Sequence, residues 1–379
     1  MQKLGKKIGL YIHVPFCKKK CLYCDFVSFD NIEESVVAEY FSSLKRELNF
    51  YKENYDIEIE TIYIGGGTPS AVNPAHIGSL LEFVYSNFEV ESSCETTIEA
   101  NPESLDEEKV KIYRFSNINR LSIGVQSLND IELKALGRIH TSRRVLEILE
   151  LIVRYFENFN VDLMIGLPHQ NMESFSKTLE AVISFDPPHV SVYSLKIEEG
   201  TYFYNEYESL KNCLPSEEEE RSMYWLAVQK LNDVGIYHYE ISNFAKKNFK
   251  CKHNLKYWNH EEYIGIGCAA HSFFEGYRYF NVSNLEKYIS RIKSGSFAWE
   301  KKQFIDDQEK EKEYIILGLR KIEGFDLLEF ERRFNVAFTG KYSAQIEKLK
   351  RYGLVEVNSH FRLTKRGIDL ANIVWQEFI

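Results

Sequence analysis

Three cysteines stand within eight residues, in the stretch CKKKCLYC that runs from Cys17 through Cys21 to Cys24. Three thiolates cannot close a tetrahedral all-thiolate site and cannot all pair with one another, so a metal held here keeps an externally filled position. Spacing alone leaves three chemistries open. They are an iron–sulfur cubane with one iron free for a small molecule, zinc completed by His13, and redox-active thiols.

Other chemistry-bearing residues are spread along the chain. The segment IGGGTPS brings Gly66, Gly67 and Thr68 together. Glycines there permit a close backbone approach, and no GKS or GKT follows, so a phosphate loop is excluded. Glu99 lies in TIEANP, Gln126 in SIGVQS, Arg138 in KALGRIH and Asp162 in VDLMIGLP. A carboxylate can bind sugar hydroxyls, and an arginine can pair with a carboxylate ligand. Further on, CKHNLKYW holds His253, Asn254, Tyr257 and Trp258. Histidine is an axial iron ligand and aromatic rings can wall a flat macrocycle, although on residue types alone an ordinary aromatic cluster is the stronger reading of the stretch.

The elements that carry these residues alternate. Strand patterns GLYIHVPF, IEIETIYIG, ETTIEA, RLSIGV, NVDLMIG and HVSVYSL are each followed by a helical segment up to about residue 195. Six βα units imply an α/β fold with a parallel sheet covered by helices. Polar or glycine-rich residues end nearly every strand, which favours a partial or full TIM-type (β/α) barrel, with its site at the carboxyl ends, over a Rossmann sheet with one glycine-rich loop. Past residue 200, Ser216 and Glu219 predict a capped helix start, with the EEEE run as its solvated first turn. HYEISNFA reads as one more strand. The tail reads as helices, a hairpin and a last helix, a mainly helical, winged-helix-like unit. The predicted division is 1–200 for the barrel core, 201–300 for an extension with the HNxxYW motif, and 301–379 for the tail.

The cysteine motif and its surroundings, YIHVPFCKKKCLYCDF, resemble the radical S-adenosylmethionine superfamily. That resemblance implies a 4Fe-4S cluster on Cys17, Cys21 and Cys24, whose unique iron is chelated by S-adenosylmethionine; an electron from the cluster then splits the sulfonium to a 5′-deoxyadenosyl radical. It also implies cofactor contacts at Tyr11, Gly66, Gly67, Thr68, Glu99, Gln126, Arg138 and Asp162. GGGTPS, EANP, RLSIGVQS, HNLKYW and EYIGIGCAAHSF narrow the resemblance to the group of oxygen-independent coproporphyrinogen III oxidases and their heme-chaperone relatives. The oxidases typically carry a further cysteine two residues past the third, where this chain has Phe26, and a longer N-terminal segment. The departures imply the chaperone branch, without oxidase activity: heme bound with help from His253, Asn254, Tyr257 and Trp258, and passed to respiratory apoproteins. Oxidative decarboxylation of coproporphyrinogen III is the competing reading.

Composition bounds these expectations. The chain has 379 residues, 44% of them hydrophobic, enough for a large core. A net charge of −9 argues against gripping long nucleic acid, and residues 301–379 carry 15 Lys/Arg against 13 Asp/Glu without a basic stripe, so no nucleic acid is expected. No apolar run suits a leader or a membrane span. A cytoplasmic protein is expected, with at most peripheral, transient contact at the inner face of the membrane and a homodimer as its candidate assembly. Cys251 and Cys268 read as packing residues.

Overall fold

The computed structural model describes residues 5–379; residues 1–4, part of the N-terminus read above as lacking leader character, lie outside the described residues. Six strands alternate with helices: β1 (Lys6–Val14), α1 (Glu34–Asn54), β2 (Ile57–Gly66), α2 (Pro74–Asn87), β3 (Glu89–Ala100), α3 (Glu107–Phe115), β4 (Arg120–Gln126), α4 (Asp130–Ala135), α5 (Ser142–Tyr155), β5 (Phe159–Ile165), α6 (Met172–Ile183) and β6 (His189–Ser194). Each of these strands pairs in parallel with the next.

The alternation of side chains explains why the sheet curls around a polar interior. Leu10, Ile12, Ile62, Ile64, Ile98, Leu121, Ile123, Val161, Leu163, Val190 and Val192 are buried in one apolar cluster that also takes in residues of the covering helices. Residues of the opposite parity meet each other instead: Tyr63 with Glu99, Ser122 with Asp162, and Asn160 with His189. One face of every strand therefore packs on helices and the other lines a hydrogen-bonded lumen.

The barrel is partial. Outside the six parallel strands lie β7 (Tyr237–Glu240), β8 (Asn243–Ala245), β9 (Tyr263–Ile266), β10 (His271–Phe274), β11 (Tyr277–Asn281) and β12 (Trp299–Phe304). The sheet order is β12-β11-β10-β9-β1-β2-β3-β4-β5-β6-β8-β7, a linear order in which β1 pairs with β9 rather than closing onto β6. HYEISNFA, expected as one strand, is the antiparallel pair β7 and β8. The turn between them is held by Glu240, whose carboxylate accepts from the Ser242 and Asn243 nitrogens. Ser216 caps the helix Glu217–Asp233 by accepting from the Glu219 N–H at 3.2 Å, as its sequence predicts.

A second hydrophobic cluster, rich in Phe325, Phe330, Phe338, Phe361 and Phe378, fills the tail. It carries the helices Asp307–Gly318, Leu327–Phe334 and Ser343–Arg351 and a three-stranded sheet that includes the hairpin Val355–Val357 and His360–Leu363. The last expected helix is two short ones, Lys365–Asp369 and Ala371–Gln376. No helix among the described residues is long and apolar enough to cross a membrane.

One buried acid ties the strands beyond β1 to the barrel. Glu47 on α1 accepts from the Gly267 N–H at 2.9 Å, the Asn281 amide at 2.7 Å and the Tyr288 hydroxyl at 2.5 Å. Burial pushes its carboxyl up to about 7, against the pull of those three donors. A raised folded-state pKa means that the stability it contributes is full below pH 4.5 and is lost as pH rises through about 7. Relative to Glu47→Gln, the wild type should lose about 3 kcal/mol across that window, read by urea denaturation at a series of pH values. Parallel pH profiles of the two proteins would contradict this.

Candidate functional site

The cysteine loop leaves the carboxyl end of β1 and is held by the loop after β2. Gly67 N–H donates to the Val14 carbonyl at 2.9 Å, and Thr68 N–H to the Phe16 carbonyl at 2.8 Å. A Cβ at Gly67 would lie 2.8 Å from the Phe16 carbonyl oxygen, so only glycine lets the two loops close. Gly66 takes φ +114°, a conformation that suits glycine, and a Cβ there would strike the His13 ring at 2.5 Å. The sequence-predicted glycines thus build the seat of the cysteine loop.

From Cys17 a hydrogen-bond chain crosses four strand ends. The Thr68 hydroxyl donates to the Cys17 sulfur at 3.6 Å and accepts from the Asn101 amide at 3.0 Å. Arg138 donates to the Asn101 carbonyl oxygen at 2.9 Å and to the Tyr23 hydroxyl at 2.8 Å. The Arg138 Nε is buried without a partner among the described residues, a free donor beside the thiols. Burial raises the Cys17 thiol, and raises Cys24 to about 11, with the neighbouring thiols adding to the rise. The bare Cys17 and Cys24 thiols therefore stay protonated at neutral pH, and a metal that takes them as thiolates releases protons. No three His, Cys, Asp or Glu side chains among the described residues converge as ligands of one ion. A cubane takes each thiolate on a different iron and has no need of such convergence.

Glu99 and Asp162 sit deeper in the lumen. Glu99 accepts from the Tyr63 hydroxyl at 2.8 Å and the Gly66 N–H at 3.1 Å; burial first, then nearby Asp162, raises it to about 7. Asp162 accepts from Asn160 at 2.7 Å and Ser122 at 3.0 Å, and burial raises it too. Gln126, 8% exposed, ends β4 at φ +66°, a left-handed conformation that costs a non-glycine residue about 1–3 kcal/mol. Tyr11 stands on β1 with its hydroxyl 2.9 Å from His13 Nδ1. The structure thus gathers Gly66, Gly67, Thr68, Arg138 and the cysteine loop at one end, with Glu99, Gln126 and Asp162 leading into the lumen.

His253, Asn254, Tyr257 and Trp258 lie on one short helix apart from the cysteine loop, with Tyr257 and Trp258 among the residues that line a lateral cavity and His253 buried behind them. The helix Lys252–Trp258 packs against the amino-terminal half of β2 and β3. His253 is fully buried, with Nδ1 2.8 Å from the Thr61 hydroxyl and Nε2 2.8 Å from the Tyr257 hydroxyl. Burial drives its pKa down to about 3. Glu95 accepts from the Lys252 and His253 N–H groups, capping the helix. Trp258 stacks under the Arg320 guanidinium at 4.3 Å. Asn254 is half-buried on the same helix. With both ring nitrogens committed, His253 offers no free lone pair, while Tyr257 and Trp258 present their rings to a cavity.

A cavity of about 640 Å³ opens beside β1, β9 and β10. Its wall runs from Tyr11 and residues 25–27 past Tyr257, Tyr263 and Phe273 to Leu317 of the tail, with His13, His260 and His271 among its lining residues. Phe26 is 61% exposed at its rim.

Residues 11–182 match the radical SAM superfamily, and residues 305–370 match the HemN C-terminal domain. Heme chaperone HemW of Bacillus subtilis is 36% identical over 373 residues, covering 97% of this chain and 98% of that protein. This chain belongs to the radical SAM superfamily, in its HemW/HemN family. HemW of Escherichia coli is 32% identical, covering 98% of each chain. The zebrafish mitochondrial radical S-adenosyl methionine domain-containing protein 1 is 32% identical, covering 90% of this chain and 80% of that one. The solved structure of E. coli coproporphyrinogen III oxidase, HemN, superposes with TM-score 0.87 at 22% identity, over 99% of this chain and 90% of that one, a likeness of fold. Membership carries with it the capacity for a 4Fe-4S cluster and S-adenosylmethionine and a heme-chaperone-like role. Asn101 and Tyr23, which join Arg138 to the cysteine loop, escape the sequence reading. Their signal is present, since Asn101 follows Glu99 in EANP and Tyr23 precedes the third cysteine.

Proposed function

We propose that the protein is a heme chaperone that binds heme in the lateral cavity and delivers it to respiratory apoproteins, carrying a 4Fe-4S cluster and S-adenosylmethionine at the carboxyl ends of the strands. The observation that carries the reading is Phe26: an exposed aromatic at the rim of the cavity, one residue beyond Asp25, suits an apolar macrocycle. The cavity volume lies within the ~300–1,000 Å³ range of small-molecule pockets. Full-length similarity to proteins named as heme chaperones supports the same reading.

In this account Cys17, Cys21 and Cys24 would hold the cluster, and S-adenosylmethionine would bind beside it. When bound, the cluster supplies an electron at the sulfonium. The N–H groups of Gly66, Gly67 and Thr68 are already donated within the protein, so this loop offers acceptors, which suit the ligand's ammonium. The orphan Arg138 Nε would pair with the ligand's carboxylate, and Glu99 and Asp162 would accept from its ribose hydroxyls. Residues 1–200 form the cofactor-binding core, 201–300 the extension, and 301–379 the lobe at the cavity's far wall. Handover takes place in the cytoplasm, with transient contact at the inner membrane face.

Arg138→Gln should weaken S-adenosylmethionine binding by about 10–100-fold, the loss of a charged hydrogen bond, while iron and sulfide contents stay at wild-type levels. Isothermal titration of the reconstituted protein checks this; equal affinities would remove Arg138 from the site. The function itself is tested by anaerobic incubation with coproporphyrinogen III and S-adenosylmethionine. A chaperone leaves the porphyrinogen intact and binds heme. Accumulation of protoporphyrinogen IX would overturn the proposal in favour of the oxidase.

A further inference from the structure

Three histidines line the lateral cavity, and their bonding separates them. His13 has Nδ1 2.9 Å from the Tyr11 hydroxyl and Nε2 3.1 Å from the Val27 carbonyl. His260 has Nε2 2.8 Å from Glu313 and Nδ1 3.2 Å from Arg333. His271 makes no side-chain hydrogen bond among the described residues and is exposed, so both its ring nitrogens are open. An iron ligand needs a nitrogen lone pair not already committed to a neighbour.

The surrounding structure holds this imidazole in place. A Cβ at Gly265 would lie 2.0 Å from the His271 carbonyl oxygen, so the glycine of β9 is what lets the backbone of β10 come so close. Gly267, at φ +100°, makes the turn between the two strands; a Cβ there would strike the Tyr40 hydroxyl at 2.4 Å. The Ser272 hydroxyl accepts from the Gly265 N–H at 2.9 Å and turns away from the cavity, leaving its neighbours His271 and Phe273 to face it. The His271 ring stacks on Phe280, centroids 5.2 Å apart at 24°.

We infer that His271 is the protein's axial ligand to heme iron, one ring nitrogen donating to iron while the macrocycle lies in the lateral cavity against its aromatic wall. The inference rests on the heme-chaperone reading and gives its site a ligand. His271, unlike His253, is the histidine that a bound heme can reach without unpacking the lumen.

The test is titration of ferric heme into the full-length reconstituted protein, followed by the Soret band and by electron paramagnetic resonance. Wild type should show a histidine-ligated spectrum. His271→Ala should bind at least about 10-fold more weakly and lose the histidine signature, and added imidazole should restore it. His360→Ala, on the tail hairpin outside the cavity, should behave as wild type. Because His271 is exposed, the variant keeps its cluster absorption and thermal unfolding, which report its fold. A wild type with no Soret shift defeats the chaperone reading and this inference with it. A histidine-ligated wild type matched by His271→Ala in affinity and spectrum overturns this inference alone.

Discussion

Replacing any one of Cys17, Cys21 or Cys24 with serine removes the broad visible absorption of the anaerobically reconstituted protein, together with its iron and acid-labile sulfide. A cubane needs a soft thiolate on each of three irons, and serine offers a hard, poorly acidic hydroxyl. The expected loss of cluster affinity exceeds the ~10–100-fold typical when only a supporting residue is removed. The effect is local, because the three cysteines lie half-buried in a loop rather than in either hydrophobic cluster. Thermal unfolding of the cluster-free forms should therefore match between variant and wild type. Full iron and sulfide in any single variant would remove that cysteine from the site. Zinc without sulfide in the wild type would replace the cubane with the closed-shell metal that the spacing also allows.

His253→Ala has the second large effect, and it falls on stability. The substitution leaves a cavity in the lumen and takes one partner from each of two buried hydroxyls, Thr61 and Tyr257. It also removes a ring stacked on Tyr63 at 5.2 Å and 29°. Cavity and unsatisfied groups together predict a loss of about 3–4 kcal/mol, measured by urea denaturation. The acid limb carries a second signature. A base whose pKa is lowered from 6.5 to about 3 contributes stability that is present above pH 6.5 and is lost as pH falls towards 3. His253→Ala should lack that part of the acid slope. The heme complex of the folded variant should keep its Soret position and affinity. Unchanged stability with lost heme binding would return this residue to a ligand role.

The contrast between these histidines shows what a sequence can and cannot carry. The six parallel strands are legible because apolar residues at alternate positions face the helices, as in Leu10 and Ile12 or Leu121 and Ile123, and the helices follow from capped, amphipathic runs. The cysteine loop is legible because its ligands lie within eight residues. His253 is not, since its fate is decided by Thr61, 192 positions away, and nothing in CKHNLKYW signals that both nitrogens are spent. The lateral cavity is invisible for the same reason. Its wall is assembled from residues near 11, 26, 260, 271 and 317, brought together only when β9 and β10 extend the sheet beyond β1. Asn101 reaches Arg138 through space left by Gly124 on the next strand, where a Cβ would sit 2.4 Å from the Asn101 side-chain oxygen. The single strand expected in HYEISNFA fails on Glu240, whose carboxylate satisfies the turn nitrogens and folds the segment back on itself.

Heme handover tests the central claim most directly. Heme-loaded, cluster-replete protein is mixed anaerobically with an apo-cytochrome, the two are separated, and the heme spectrum of each is recorded over time. The account predicts that the Soret band moves from this protein to the cytochrome faster than free heme binds the same apoprotein at equal concentration. Heme that stays on this protein, or that reaches the cytochrome only at the rate of free heme, would contradict it.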